Sequence, residues 1–66
     1  MQVCVNGTDR ALPEEMGLLA LLEEMGLVGR RIAVEINQEI VPRARHGDYV
    51  LRHGDRVEIV QAIGGG

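Results

Sequence analysis

Only one segment of this chain has the spacing of an amphipathic helix. Four apolar side chains recur there every three or four residues and form a single stripe: Leu18, Leu21, Leu22 and Met25. Gly17 is placed to act as the N-cap, and Gly26 suits the left-handed residue that ends a helix. We therefore predict a short helix over about residues 18–25, lying flat against another element.

The other apolar residues alternate with polar ones, which is the pattern of half-buried strands. Residues 31–37 and residues 56–63 alternate most clearly. In the second segment, one face holds Val57, Ile59 and Ile63, and the other holds Arg56, Glu58, Val60 and Ala62. Shorter strands are expected on both sides of the Asn6-Gly7 turn and at residues 39–41.

A single helix can cover only one face of a sheet, so these elements predict an α+β fold. We expect a ubiquitin-like β-grasp, a small mixed sheet with one helix packed across one face. Its first and last strands would lie side by side in the centre, in parallel. The chain forms a single domain over residues 1–66, with 1–63 as the globule and 64–66 as a free, flexible tail.

Composition disfavours several classes of function. The net charge is -3, the seven basic residues are arginines scattered among ten acidic residues, and Tyr49 is the only aromatic residue. Nucleic-acid binders usually cluster basic residues and add aromatic ones, so we expect no nucleic-acid partner. A lone cysteine, Cys4, and an N-terminus without a basic region or long apolar run predict a soluble cytoplasmic protein without a membrane anchor.

The residues that usually catalyse reactions or bind metal do not form a recognisable set. His46 and His53 lie in polar, turn-like sequence, so we interpret both as solvated loop histidines and predict no metal site. Cys4 lies mid-strand between two valines with no adjacent base. A small hydrophobic role is favoured for it, and a sulfur-relay role stays open.

The most distinctive feature is the run of three glycines at the end, Gly64, Gly65 and Gly66. A frayed terminus is one interpretation, because glycine loses more backbone freedom on ordering than other residues. The other is functional, because a segment without Cβ atoms can thread a narrow channel and three residues reach about 10 Å. The pattern favours a tail that carries its terminal carboxylate into the active site of another protein.

Several segments of the chain resemble one known family. The most specific is the combination of Gly54-Asp55-Arg56-Val57-Glu58-Ile59-Val60 with a Gly-Gly end, and Val5-Asn6-Gly7 and residues 29–37 and 39–43 add to it. Over nearly its whole length the chain is similar to the sulfur carrier proteins of thiamine thiazole biosynthesis, the ThiS family. Two positions depart from that pattern: Gly17 stands where a helix-capping threonine is common, and Cys4 replaces a usual aliphatic residue.

The resemblance implies a protein cosubstrate that catalyses nothing itself and is a monomer on its own. An E1-like adenylyltransferase would use ATP and Mg²⁺ to adenylate the Gly66 carboxylate, so the carrier would bind no cofactor. A sulfur donor, such as a cysteine desulfurase or a persulfide protein, would then form a C-terminal thiocarboxylate. Thiazole synthase would accept that sulfur, with Gly64 and Gly65 threading the partner's active site.

Alternation also places a candidate docking face for these partners. Four small or apolar residues are expected on the sheet face away from the helix: Cys4, Ala33, Val60 and Ala62. Such a patch beside the tail is suited to partner binding. We predict that Val60, Ala62 and Ile63 contribute to docking, and an ordinary face of small residues is the alternative.

Three other functions remain compatible with the same features. The small subunit of molybdopterin synthase carries sulfur on the same fold with a Gly-Gly end, but that family tends to be longer and more aromatic. A ubiquitin-like modifier would be conjugated to lysines of other proteins. A plain interaction domain with an inert tail would show no modified form.

Overall fold

A computed structural model describes residues 1–61, and the predictions made for residues 62–66 lie outside this range. The elements, in chain order, are β1 (Gln2–Val5), β2 (Thr8–Ala11), α1 (Leu18–Glu24), β3 (Ile32–Ile36), β4 (Glu39–Val41), a 3-10 turn (Arg43–Arg45) and β5 (Arg56–Gln61). The five strands form one mixed sheet in the order β2-β1-β5-β3-β4. β1 and β5 are central and parallel, which confirms the predicted β-grasp arrangement.

Two tight turns set the register of the hairpins on either side of β5. Asn6 and Gly7 have φ values of +49° and +84°, and Asn37 and Gln38 have φ values of +53° and +69°. Positive φ at both central residues defines the type I′ turn, whose twist matches that of the paired strands. Gln38 adopts this conformation although side chains other than those of Asn and Asp rarely favour it.

The helix begins and ends with backbone hydrogen bonds. Gly17 is the N-cap and has no side chain to contribute, and the Leu18 N–H donates instead to the Tyr49 carbonyl oxygen at 2.8 Å. At the other end Gly26 has φ +71°, and the Leu27 N–H donates to the Leu22 carbonyl oxygen at 2.8 Å. This second bond is the long one of a Schellman motif, which confirms the predicted end of the helix.

One apolar core lies between the helix and the sheet. Its buried members come from every strand except β2, from the helix and from the connections: Val3, Val5, Leu12, Leu18, Leu21, Leu22, Leu27, Val34, Ile36, Val41, Leu51, Val57 and Ile59. Three members of the helical stripe are fully buried, and Met25 packs against them half-buried. Buried residues of β3 and β5 alternate with exposed or half-buried ones over the described part of both strands. The alternation in the sequence therefore correctly predicted which face of each strand points inward.

The irregular segment before β5 is more structured than its polar sequence indicates. The Leu51 N–H donates to the Met16 carbonyl oxygen at 2.9 Å, and Gly17 forms a bridge with Val50, so this segment lies along the start of the helix. The interpretation of His46 as a solvated residue is wrong. Its side chain is only 7% exposed, and Nε2 lies 3.0 Å from the Val41 carbonyl oxygen, because the 3-10 turn folds it inward.

Within residues 1–61, no helix is long and apolar enough to cross a lipid bilayer.

The helix N-terminus gives a test of the unusual capping glycine. Gly17 has extended backbone angles, φ -78° and ψ 154°, and an added Cβ would lie 3.6 Å from the Tyr49 carbonyl oxygen, an ordinary contact. We expect Gly17→Ser to have a free energy of unfolding about 1 kcal/mol above that of Gly17→Ala, because only serine adds a side-chain acceptor for the first turn. Urea denaturation measures the difference in the free energy of unfolding. Equal values for the two variants would show that, with the Tyr49 contact in place, a serine side chain at position 17 does not cap the first turn.

Candidate functional site

The sheet face opposite the helix is the surface on which the predicted docking residues lie. β3 and β5 are antiparallel, and their register places Ala33 opposite Val60. Val60 is 64% exposed, and Ala33 is exposed beside it. Cys4 lies half-buried on β1, opposite Arg56 of β5. The described members of the predicted face therefore share one side of the sheet, while Ala62 and Ile63 lie outside the described residues.

Ile40 adds an apolar side chain to this face that the sequence analysis did not assign. It is 71% exposed and lies opposite Glu35, on the edge strand β4. Its neighbour Val41 is buried, so the alternation along β4 was the signal that points Ile40 outward. We call Cys4, Ala33, Ile40 and Val60 the open face.

Two carboxylates stand across from each other within the open face. Glu35 and Glu58 are direct partners in the register of β3 and β5. Like charges directly opposite on neighbouring strands are destabilising, so the repulsion between these carboxylates lowers the stability of the folded protein. The open face therefore combines apolar side chains with two opposed carboxylates, and Arg56 lies on the same face two residues before Glu58.

The start of β5 is held by a buried carboxylate. Asp55 is only 7% exposed and accepts hydrogen bonds from the Asn37 side-chain amide at 3.0 Å and from the Arg52 N–H at 2.8 Å. The Arg56 N–H donates to Oδ1 of Asn37 at 3.0 Å. Both Asp55 oxygens are thus satisfied, which a buried acidic group requires. This network fixes where the last strand begins.

The part of the chain that the structure describes contains no cluster of three or more His, Cys, Asp or Glu residues able to hold a metal ion. Cys4 is a free thiol in the middle of a strand. His53 accepts a hydrogen bond from the Gln2 N–H at Nδ1, at 2.9 Å. Burial, and next the negative charge of Asp55, raise the pKa of the Tyr49 hydroxyl, which therefore keeps its proton at neutral pH.

Comparison with known sequences identifies one family. A model described as the ThiS family matches residues 3–66. The chain is 41% identical to a sulfur carrier protein ThiS from Thermus thermophilus, over 97% of this chain and 98% of that protein. It is also 42% identical to a thiazole synthase from Paramagnetospirillum magneticum, over its full length. The chain spans only a fifth of the length of that synthase and of another from Magnetococcus marinus.

Comparison with solved structures gives the same result. The crystal structure of a thiamine biosynthesis protein (ThiS) from Geobacter metallireducens superposes with a TM-score of 0.84. The two chains are 28% identical, and each is covered completely. Similarity over the whole chain confirms the ubiquitin-like α+β fold as well as the family resemblance noted in the sequence.

Replacing one of the two opposed carboxylates tests whether they repel each other in the protein without a partner. We expect Glu58→Gln to raise the free energy of unfolding by about 0.5 kcal/mol at low salt, because it removes the repulsion from Glu35. The gain should shrink in high salt, where exposed charges are screened. Glu14→Gln, which changes an exposed carboxylate outside the sheet, is the matched control in the same urea titration. A gain equal to that of the control would show that the two carboxylates do not interact.

Proposed function

This chain belongs to the ThiS family of sulfur carrier proteins, and we propose that it carries sulfur as a thiocarboxylate on Gly66 for assembly of the thiamine thiazole. The observation that carries the proposal is the family match over residues 3–66, which includes the three terminal glycines. The exposure of Val60 and Ile40 on the open face also supports a protein that works by docking to partners.

The proposed chemistry begins with activation of a carboxylate. A carboxylate is a poor acyl donor until one oxygen becomes part of a good leaving group. An E1-like adenylyltransferase would join the Gly66 carboxylate to AMP, using ATP and Mg²⁺ and releasing pyrophosphate. A persulfide sulfur from a desulfurase or another donor would then displace AMP, and a second thiol would cleave the S–S bond to leave the thiocarboxylate. ATP and Mg²⁺ belong to the adenylyltransferase, and the carrier binds neither.

Thiazole synthase is the proposed acceptor of the sulfur. The two proteins of that name are similar to this chain over all 66 of its residues, within a much longer polypeptide. A carrier-like segment joined to a synthase supports a direct encounter between the two activities. Gly64 and Gly65 would thread the synthase or adenylyltransferase active site, because a chain without Cβ atoms needs the narrowest channel.

The open face is the proposed docking surface for these partners. Val60 and Ile40 are large apolar side chains exposed on a regular sheet, a surface that a partner can bury without rearranging the carrier. The acidic pair within it favours a partner surface with a basic side chain among apolar ones. Ala62 stays a predicted member of the same surface, and Ile63, which the alternation places on the other face, stays a predicted docking residue beside the tail.

The match to the ThiS family favours the thiamine carrier over the small subunit of molybdopterin synthase. Purification with a lasting catalytic subunit would point to the molybdopterin protein instead. A covalent ladder of lysine conjugates would point to a protein modifier.

Deleting Gly66 tests the proposed carrier residue. The shortened chain still ends in a glycine carboxylate, but that carboxylate lies about 3.5 Å closer to the sheet. We expect sulfur transfer to be lost, because the activated atom no longer reaches its position in the partner. Intact mass after incubation with the adenylyltransferase, ATP, Mg²⁺ and a sulfur source measures the exchange of one oxygen for sulfur. The free energy of unfolding is the control and should not change, since a terminal glycine has no side chain to contribute to an apolar core. Full sulfur loading of the shortened chain would contradict the proposal.

Substitution on the open face tests docking. We expect Val60→Glu to weaken binding to the adenylyltransferase about tenfold or more, because it places a charge in the apolar contact and beside the acidic pair. Val28→Glu is the matched control, since Val28 is 52% exposed in the connection between the helix and β3. Isothermal titration measures both affinities. Equal affinities for the two variants would place the docking surface elsewhere.

A further inference from the structure

β1 pairs with only the first part of β5, because β1 ends while β5 continues. β1 and β5 are paired at Cys4 with Arg56 and at Val5 with Val57, whereas β5 continues to Gln61. The hairpin turn begins at Asn6 and leads the chain away from β5. On this side, β5 beyond Val57 has no paired strand residue within the described part of the chain.

Asn6 extends the pairing with its side chain. The main-chain N–H of Asn6 donates to the Val57 carbonyl oxygen at 2.8 Å, as in a regular parallel ladder. The next bond of such a ladder would run from the Ile59 N–H to the main-chain carbonyl of Asn6. The Ile59 N–H donates instead to Oδ1 of Asn6, at 2.7 Å. The side-chain amide thus replaces the carbonyl that the turn has redirected.

From this geometry we infer that Asn6 is a positioning residue for sulfur loading, an inference that rests on the proposed role of Gly66. Ile59 lies seven residues before Gly66, so its hydrogen bond is close to the point where the tail begins. The bond holds β5 on the side of β1, while the register with β3 holds it on the other side. Held on both sides, β5 keeps one position relative to the open face as far as Gln61, the last described residue before the tail.

Asparagine meets two requirements at this position, and substitutions can separate them. The residue must accept a φ of +49°, and it must present an oxygen to the Ile59 N–H. Glycine satisfies only the first requirement. Aspartate satisfies both, since it tolerates the left-handed region and keeps an oxygen at the same place. Asn6→Gly and Asn6→Asp therefore form a matched pair.

A second turn supplies a stability control. Asn37 has a φ of +53° and accepts the Arg56 N–H through Oδ1, so it makes a similar bond at the start of β5. Asn37→Gly removes two side-chain bonds, one from the Arg56 N–H and one to the buried Asp55 carboxylate, so it should cost at least as much stability as Asn6→Gly while acting further from the tail. If Asn6 acted only through stability, the two glycine variants would affect sulfur loading alike.

The experiment measures adenylation of the full chain by the E1-like adenylyltransferase, with ATP and Mg²⁺, as pyrophosphate release at varied carrier concentration. We expect Asn6→Gly to lower kcat about tenfold or more, because small misplacements of a reacting group are costly, while KM changes less than about twofold. We expect Asn6→Asp to restore kcat to within about threefold of the wild type. Asn37→Gly should keep the wild-type kcat. Hydrogen exchange of the Ile59 amide should accelerate in Asn6→Gly alone, with the Val34 amide as the reference for a folded core.

Three results would overturn the inference. Wild-type kcat in Asn6→Gly, with accelerated exchange at Ile59, would show that the bond forms but does not position the tail. Equal losses in Asn6→Gly and Asn37→Gly, or no recovery in Asn6→Asp, would leave a structural role alone. Absence of adenylation in the wild-type chain is a different failure, because it removes the proposed function and this inference with it.

Discussion

The parallel pairing of β1 with β5 is the interaction on which the rest of the structure depends. β1 brings its hairpin partner β2 to one side of the sheet, and β5, through its pairing with β3, brings the β3-β4 hairpin to the other. A two-stranded hairpin alone is marginal in water, so the β1-β2 half is not expected to persist by itself. The pairing joins residues about fifty positions apart, such as Cys4 and Arg56, and its entropic cost must be met by the core that it closes.

Local patterns in the sequence predicted the elements that depend on near neighbours. The stripe that includes Leu18 and Leu22 indicated the helix, and Gly26 indicated its end, because both depend on contacts within one or two turns. The Asn6-Gly7 pair indicated a hairpin in the same way. The central parallel pair was also predicted, since one helix and several short strands leave few ways to cover a mixed sheet.

Features made by distant contacts were not visible in the sequence. His46 lies in a polar segment, and only the fold of the 3-10 turn against β4 explains its burial. Leu51 enters the core because its segment runs along the start of the helix. The hydrogen bond from the Ile59 N–H to the Asn6 side chain could not be predicted for a different reason. The Asn6-Gly7 turn already accounts for an asparagine at this position, so the sequence does not indicate a second role for its side chain. Alternation did predict the open face within the described residues, with Ile40 as the omission.

The parallel arrangement also separates the N-terminus from the end of β5. Gly54 donates its N–H to the Gln2 carbonyl oxygen, so the chain start lies level with the residues that precede β5. Gln61 is seven residues further along, roughly 20 Å away at the rise of a strand. A polypeptide attached before Met1 would leave from the end of the sheet opposite the end at which Gln61 lies. A surface or a reporter attached to the N-terminus would therefore lie away from the end of β5.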